Sequence, residues 1–302
     1  VAWELISIVS VLLILRGHAA AAAAIRYLVF GLSSAMLMLA ALAVGLSVGE
    51  SSSTVGAFGL ITSLNPQATI LLAAAIAIKL GAVGVHVWLP AAYAEAEHGV
   101  SAIASSVLSK AGILLLFFGA GAFIAPVFGD VALSRILAWI GVATALVGGM
   151  AALFQNDIKY TLAYSSMSQI GYIVLAFAAV GHLGWVTALY LTVNHLLFKG
   201  ILFLAIAGIV MRTGTRLMYQ MGGLIKRMPF SFITVLVAII AVSGVPPLSG
   251  FGGKWLLYTA LLEQGMHLEA ALALFSGGIA FLYLFRLIHS IFLGQRKAHH
   301  DT

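Results

Sequence analysis

Ser243-Gly-Val-Pro-Pro-Leu-Ser-Gly-Phe-Gly-Gly-Lys254 interrupts an apolar stretch that otherwise runs from residue 229 to 265. Adjacent prolines remove two helix donors and clash with the preceding turn, so a helix through this stretch must break at Pro246 and Pro247. The flanks are too apolar for a soluble surface. Broken backbone within a bilayer is tolerated only where protein or a water-filled cavity surrounds it. An ammonium at such depth costs about 3 kcal/mol on insertion scales, which makes Lys254 a candidate functional group by default.

Working outward, the same pattern recurs along the chain. The apolar fraction is 62%, the charged fraction 8% and the mean hydropathy +1.12. Stretches long enough to cross ~30 Å of hydrocarbon succeed one another, and they run well past the ~10-residue strands of a barrel. The fold class expected is all-α, a polytopic transmembrane helix bundle of about nine spans. They cover residues 1–15 (partial), 22–48, 67–93, 100–126, 131–154, 158–181, 184–211, 229–265 (interrupted) and 268–294. The third is expected to break as well, because Gly81, Gly84 and Pro90 fall within it. With about 15 residues before Arg16 and no basic leader, the first span reads as starting inside a helix, so the sequence is expected to be N-terminally truncated.

Counting Lys and Arg in alternate connections puts Arg16, Arg26, Lys159, Arg212, Arg216, Lys226, Arg227, Arg296 and Lys297 on one side and Arg135 alone on the other. By the positive-inside rule the first side, and the C-terminus with it, is cytoplasmic. The formal charge of +6 is spread over single cations and forms no basic face, so nucleic acid is not an expected partner. The absence of cysteine excludes thiolate metal sites, iron–sulfur clusters and disulfides. Glu95, Glu97 and His98 crowd three ligand types into four loop residues, a poor geometry for a metal. No metal site and no cofactor of the chain's own are expected.

Lys79, Lys110 and Lys199 join Lys254 inside apolar stretches. Lys110 lies too deep for easy snorkelling. His195 and Lys199 are spaced i, i+4 and share one helix face, where a histidine could shuttle protons. Tyr164, Ser165, Ser166, Ser168 and Gln169 make a polar stripe that serves either as helix–helix glue or as the lining of a water wire. Arg286 and His289 lie near a helix end, where snorkelling explains them.

Several of these residues sit in ordered blocks that resemble a known family. Lys79-Leu-Gly-Ala-Val-Gly-Val-His-Val-Trp-Leu-Pro-Ala-Ala-Tyr-Ala-Glu-Ala-Glu97 is similar to the lysine, Trp-Leu-Pro and Glu-Ala signature of the antiporter-like subunits of respiratory complex I. Val100-Ser-Ala, Leu108-Ser-Lys-Ala-Gly112, Asp157-Ile-Lys-Tyr-Thr-Leu-Ala-Tyr-Ser-Ser-Met-Ser-Gln-Ile-Gly-Tyr172, Asn194-His-Leu-Leu-Phe-Lys-Gly200 and Gly244–Trp255 follow in the family's order. The family also includes subunits of Mrp-type sodium/proton antiporters, membrane-bound hydrogenases and an inorganic-carbon pump. One departure is Glu95-Ala-Glu-His-Gly-Val-Ser101, which lacks the prolines usual there.

The resemblance implies a single proton-antiporter-like domain over 1–302, equivalent to the family's fifth to thirteenth helices. An incomplete first inverted repeat would cover 1–126 and a second 131–294. It implies a proton path through Glu4 on the fifth helix, Lys79 on the broken seventh, Lys110 on the eighth, His195 and Lys199 on the eleventh and Lys254 on the broken twelfth. It further implies a proton-translocating, non-redox subunit, partnered by other membrane subunits in a prokaryotic inner membrane, with redox chemistry left to those partners. A sodium/proton antiporter or energy-converting hydrogenase subunit stays open as an alternative. A membrane cytochrome with haem held by His86, His195 or His289 is the remaining one.

Overall fold

The computed structural model describes residues 2–48, 66–118, 126–128 and 131–295. They form helices α1 (Ala2–Ile14), α2 (Ala21–Val48), α3 (Pro66–Leu80), α4 (Trp88–Glu95) and α5 (His98–Ile103), the last running through a π turn at Ala104–Leu108 into α6 (Lys110–Phe118). Then follow α7 (Leu133–Phe154), α8 (Ile158–Ala178), α9 (His182–Thr213), α10 (Pro229–Ser243), α11 (Ser249–Glu263) and α12 (His267–Ile288), the last ending in a second π turn, His289–Leu293. Five of these stretches are long and apolar enough to cross a bilayer, and shorter apolar helices accompany them. Among the described residues the architecture is helical apart from a short antiparallel pairing, Pro126–Phe128 with Val131–Ala132, and an isolated antiparallel bridge between Asp157 and Leu217. That pairing corrects the expectation that the fourth span stays helical to residue 126, since proline there cannot donate the bond a helix interior needs.

The burial pattern is that of a membrane protein. Leu114, Leu189, Met211, Phe230 and Phe281 face outward, whereas five lysines and a belt of serines are buried. The most enclosed helix is α8, with 18 of its 21 residues buried. Its contact with α7 is made backbone to backbone: a Cβ on Gly148 would stand 2.6 Å from the Ser168 nitrogen, and one on Gly171 2.5 Å from that of Ala145. Small residues of this kind let membrane helices approach where apolar burial offers no net drive.

Alternate connections gather into two sets, as up-and-down spanning requires. On one side, called side A here, Arg16 pairs with Glu97 at 3.6 Å, and Arg216 with Glu95 at 3.2 Å and Asp157 at 2.9 Å. Arg286 bonds Asn156 Oδ1 at 2.7 Å and the Leu153 carbonyl, so it joins α12 to the end of α7 in addition to reaching the interface. On side B, Arg135 at the start of α7 pairs with Glu269 at the start of α12, 3.0 Å apart.

Both expected breaks are present. The second spans Gly244–Leu248, between α10 and α11, and contains Pro246 and Pro247. The first runs over Gly81–Val87, between α3 and α4. Pro90 does not form it, because it is the third residue of α4, in a first turn whose N–H groups have no intrahelical partner and where proline is therefore tolerated. Positive φ at Gly81 (67°) and Gly84 (93°) turns that chain instead. Exposed backbone at the break is recaptured: Trp88 Nε1 donates to the Ile78 carbonyl at 2.9 Å, and the Val83 N–H donates to Thr144 Oγ1 at 3.1 Å.

Candidate functional site

Each lysine singled out in the sequence is buried, and each is held by helix carbonyls or hydroxyls. Lys79, in the last turn of α3, donates to Ser7 Oγ of α1 at 2.7 Å and lies over the Tyr27 ring, 5.5 Å from its centroid. Its Cγ packs beside Gly112 of α6, which brings the Lys79 stem next to the helix that carries Lys110. Glu4 lies in α1, but its side chain falls outside the described residues.

Lys110 owes its direction to the π turn before it. The extra residue in that turn, marked by the Ser109 N–H bonding back to the Ala104 carbonyl at 3.2 Å, rotates the following helix face. Lys110 Nζ then reaches Ser109 Oγ at 2.9 Å, the Ser105 carbonyl at 3.3 Å and His195 Nδ1. With Lys110 as the ammonium, which can only donate, Nδ1 accepts and the imidazole proton sits on Nε2; with Lys110 as the neutral amine the roles can reverse. Nε2 is buried with no partner among the described residues. One turn along α9, Lys199 donates to Ser165 Oγ and to the Leu162 carbonyl at 3.1 Å.

The α8 stripe makes contacts between helices. Ser165 holds Lys199, and Ser166 bonds Ser105 at 2.8 Å beside Lys110, whereas Ser168 bonds the Ala145 carbonyl at 2.9 Å and so serves as glue between α7 and α8. Gln169 faces a cavity of about 20 Å³ together with Asn194, His195, Lys199 and Lys254. Such a volume suits about one water. His195 Nε2 and, at the adjoining break, Ser243 Oγ are buried without a hydrogen-bond partner among the described residues. Buried orphans cost about 1–3 kcal/mol each, so a hydrated position is the economical arrangement.

Lys254 closes the far wall. Its Nζ donates to the Ser243 carbonyl at 2.8 Å, a group left free by the α10–α11 break, and it sits 5.0 Å from the centroid of the Tyr172 ring. Gly244 makes this possible, since it adopts φ 75° and a Cβ there would lie 2.5 Å from Lys254 Cδ. The lysines at the two breaks are thus bound differently: Lys254 by a carbonyl of its own break, Lys79 by a serine of another helix.

The structure also brings in residues that the sequence reading passed over. Ser7, Ser105, Ser109 and Tyr172 are the immediate partners of the lysines, and nothing in their spacing alone distinguished them from ordinary membrane serines and aromatics. Lys159, counted only as a side A cation, is buried and donates to the Ala96 carbonyl at 2.6 Å. The carboxylates of the dismissed metal trio are taken by arginines, Glu95 by Arg216 and Glu97 by Arg16. Burial alone would raise the Glu95 pKa, but the hydrogen bonds and charge of Arg216 outweigh it and hold the carboxyl below its ordinary value. His86 lies in the first break, His195 against Lys110 and His289 in the terminal π turn, three separate places in the fold.

Comparison with known proteins places this arrangement. Residues 1–280 match the family model described as NADH:quinone oxidoreductase/Mrp antiporter, TM. NADH-quinone oxidoreductase subunit N of Desulforudis audaxviator (strain MP104C) is 31% identical over 283 residues, covering 92% of this chain and 56% of that protein. A chain in the structure of the Mrp complex from Dietzia sp. DQ12-45-1b superposes with a TM-score of 0.84 at 29% identity, over 93% of this chain and 52% of its own length. One in the membrane-bound sulfane sulfur reductase, an archaeal respiratory membrane complex, does so at 0.90 with 32% identity, over 98% and 51%. The chain therefore spans about half the length of the relatives it matches.

Proposed function

The chain belongs to the NADH:quinone oxidoreductase/Mrp antiporter transmembrane family, and from that premise we propose that it is a proton-translocating, antiporter-like subunit of a complex I-type oxidoreductase or a related ion-pumping assembly. Protons enter from side A, pass Lys79 with Glu4, cross to Lys110, His195 and Lys199 near the midplane, and reach Lys254 through the hydrated cavity. The observation that carries this reading is the imidazole of His195, hydrogen-bonded through Nδ1 to Lys110, with Nε2 buried and unpartnered among the described residues, in the lining of a cavity that Lys254 shares. An imidazole wired in this way takes a proton on one nitrogen and gives it up from the other.

In this reading the nine spans form two inverted repeats, 1–126 incomplete and 131–294, with the breaks at Gly81–Val87 and Gly244–Leu248 in corresponding segments. Discontinuous helices paired in this way mark ion sites in transporters. Side A, with its excess of Lys and Arg, is the cytoplasmic face of a prokaryotic inner membrane, and the C-terminus lies there. Redox chemistry belongs to partner subunits, which the relatives' membership of multisubunit complexes supports.

The decisive experiment compares Lys110→Arg with Lys110→Ala by proton flux in vesicles holding the reconstituted complex, normalised to assembled protein. Arginine keeps the charge but does not deprotonate in proteins. The relay predicts flux near the alanine level for both variants. Wild-type flux from Lys110→Arg would reduce Lys110 to a fixed counter-charge.

A further inference from the structure

We propose that Glu269 is the group through which protons leave the relay on side B, with Arg135 as its latch. This rests on the relay reading above and extends it beyond Lys254. Among the described residues the buried ionisable groups include five lysines and a single carboxylate, Glu269. Its side chain is 4% exposed, and the path to Lys254 does not use it.

Glu269 lies on the face of α12 that turns inward. Ala273, Ser276 and Tyr283 continue that face at helical spacing, and all are buried. At its inner end the point where a Cβ would stand on Gly277 is 3.8 Å from Lys254 Nζ, 3.5 Å from the Tyr258 hydroxyl and 3.7 Å from that of Tyr172. Tyr172 donates to the Ala273 carbonyl at 3.1 Å, one turn from Glu269. The buried Ser276 hydroxyl lies beside that of Tyr172 on the same inward face. Lys254 and Glu269 thus stand about 12 Å apart along α12, eight residues at about 1.5 Å each, with tyrosine and serine hydroxyls along the inner half and the single turn from Ala273 to Glu269 beyond them. At the outer end Arg135 is 44% exposed and meets Glu269 at 3.0 Å, so the carboxylate sits one side chain away from side B solvent.

The step balances in protons alone. The Lys254 ammonium gives one proton to the tyrosine and serine hydroxyls, each of which accepts on oxygen while releasing its own, and water admitted between Ala273 and Glu269 carries the released proton across the last turn. Glu269 carboxylate becomes the acid and its pairing with Arg135 is lost, with the guanidinium remaining charged in side B water. Release of the proton to that water restores the carboxylate and re-forms the pair. The closed pair keeps protons outside from running back to Lys254 between turnovers.

A purely structural staple between α7 and α12 would use the same contact, so the test must separate the two. In the reconstituted complex Glu269→Gln should lower flux about a hundredfold, the scale lost with a proton-transfer group, while Glu269→Asp keeps most of it. Exchanging the pair, Arg135→Glu with Glu269→Arg, retains the staple but puts a group that cannot deprotonate at the buried position, so flux should stay lost. Recovered flux in the exchanged pair, or wild-type flux in Glu269→Gln, overturns the proposal. Where variants fail to assemble, a hydrophobic carbodiimide, which modifies protonated carboxyls, decides in the unmutated complex: Glu269 should be labelled during turnover, and its absence from the label overturns the proposal. Active Lys110→Arg would sink the whole relay, whereas inactive Lys110→Arg beside active Glu269→Gln sinks only this exit.

Discussion

Gly244→Ala probes whether the broken helix holds Lys254 in a working position. Gly244 sits at φ 75°, and an added Cβ would stand 2.5 Å from Lys254 Cδ and 3.2 Å from Cε. Left-handed backbone costs a residue with a Cβ about 1–2 kcal/mol. Moving the lysine stem off its rotamer adds about 0.5–1.5 kcal/mol, so the expected loss of stability is roughly 2–3 kcal/mol. The same movement pulls Nζ off the Ser243 carbonyl, now 2.8 Å away. A hydrogen bond to a charged group is worth about 1.5–3 kcal/mol, which converts to a roughly tenfold or greater fall in flux if the bond positions the ammonium for transfer. The assay is thermal unfolding in detergent together with proton flux in vesicles. Gly208→Ala is the control, since a Cβ there meets nothing within 4 Å; it should leave flux unchanged and, being inside a helix, raise melting slightly if it changes it at all. Wild-type flux and melting for Gly244→Ala would refute the view that the break positions Lys254.

Two further outcomes follow from the packing and from side A. Gly148→Leu should prevent assembly or lower stability by about 3 kcal/mol, the upper end of the usual overpacking cost, because the obstructing atom is the Ser168 backbone nitrogen and cannot give way as a side chain would; normal detergent melting would show that α7 and α8 are not in backbone contact. The Glu95 carboxyl, held below its ordinary value, lends stability that is complete above about pH 4.3, its unfolded value, and is lost as pH falls through the lower folded one. Exchange of the Met218 N–H, bonded to the Asn156 carbonyl at 2.9 Å, should therefore accelerate on acidification once intrinsic exchange is corrected for. Glu95→Gln should abolish that acid dependence, and an unchanged profile in the variant would remove Glu95 as its source.

Much of the architecture was legible because bilayers punish exceptions. A lysine in a 20-residue apolar run, or two prolines in a helix, has few physical explanations, so Lys254 and Pro246–Pro247 pointed to a break that the structure places at Gly244–Leu248. Pro90 misled for a reason of equal simplicity. Proline disrupts only where its missing N–H is needed, and the glycines at 81 and 84 had already ended the helix. The π turn at Ala104–Leu108 left no trace in composition, since a bulge depends on which neighbours reward the extra residue. Its reward here is the contact of Lys110 with His195, on a helix 85 positions later in sequence.

The coincidence of breaks with lysines has a physical cause. A continuous helix spends its carbonyls on itself and offers a buried ammonium nothing, and the cost of burying that charge is then unrelieved. Ending α10 at Ser243 frees a carbonyl at depth, and Lys254, one residue past the glycines of α11, donates to it. Lys199 reaches the same end without a break, using the Leu162 carbonyl and Ser165 of its neighbour. The first kind of site depends on a discontinuity that can shift; the second is fixed by two continuous helices. If conformational change gates proton movement in this chain, it should act at Lys254 and the α3–α4 break beside Lys79, with Lys199 held between the continuous helices α8 and α9.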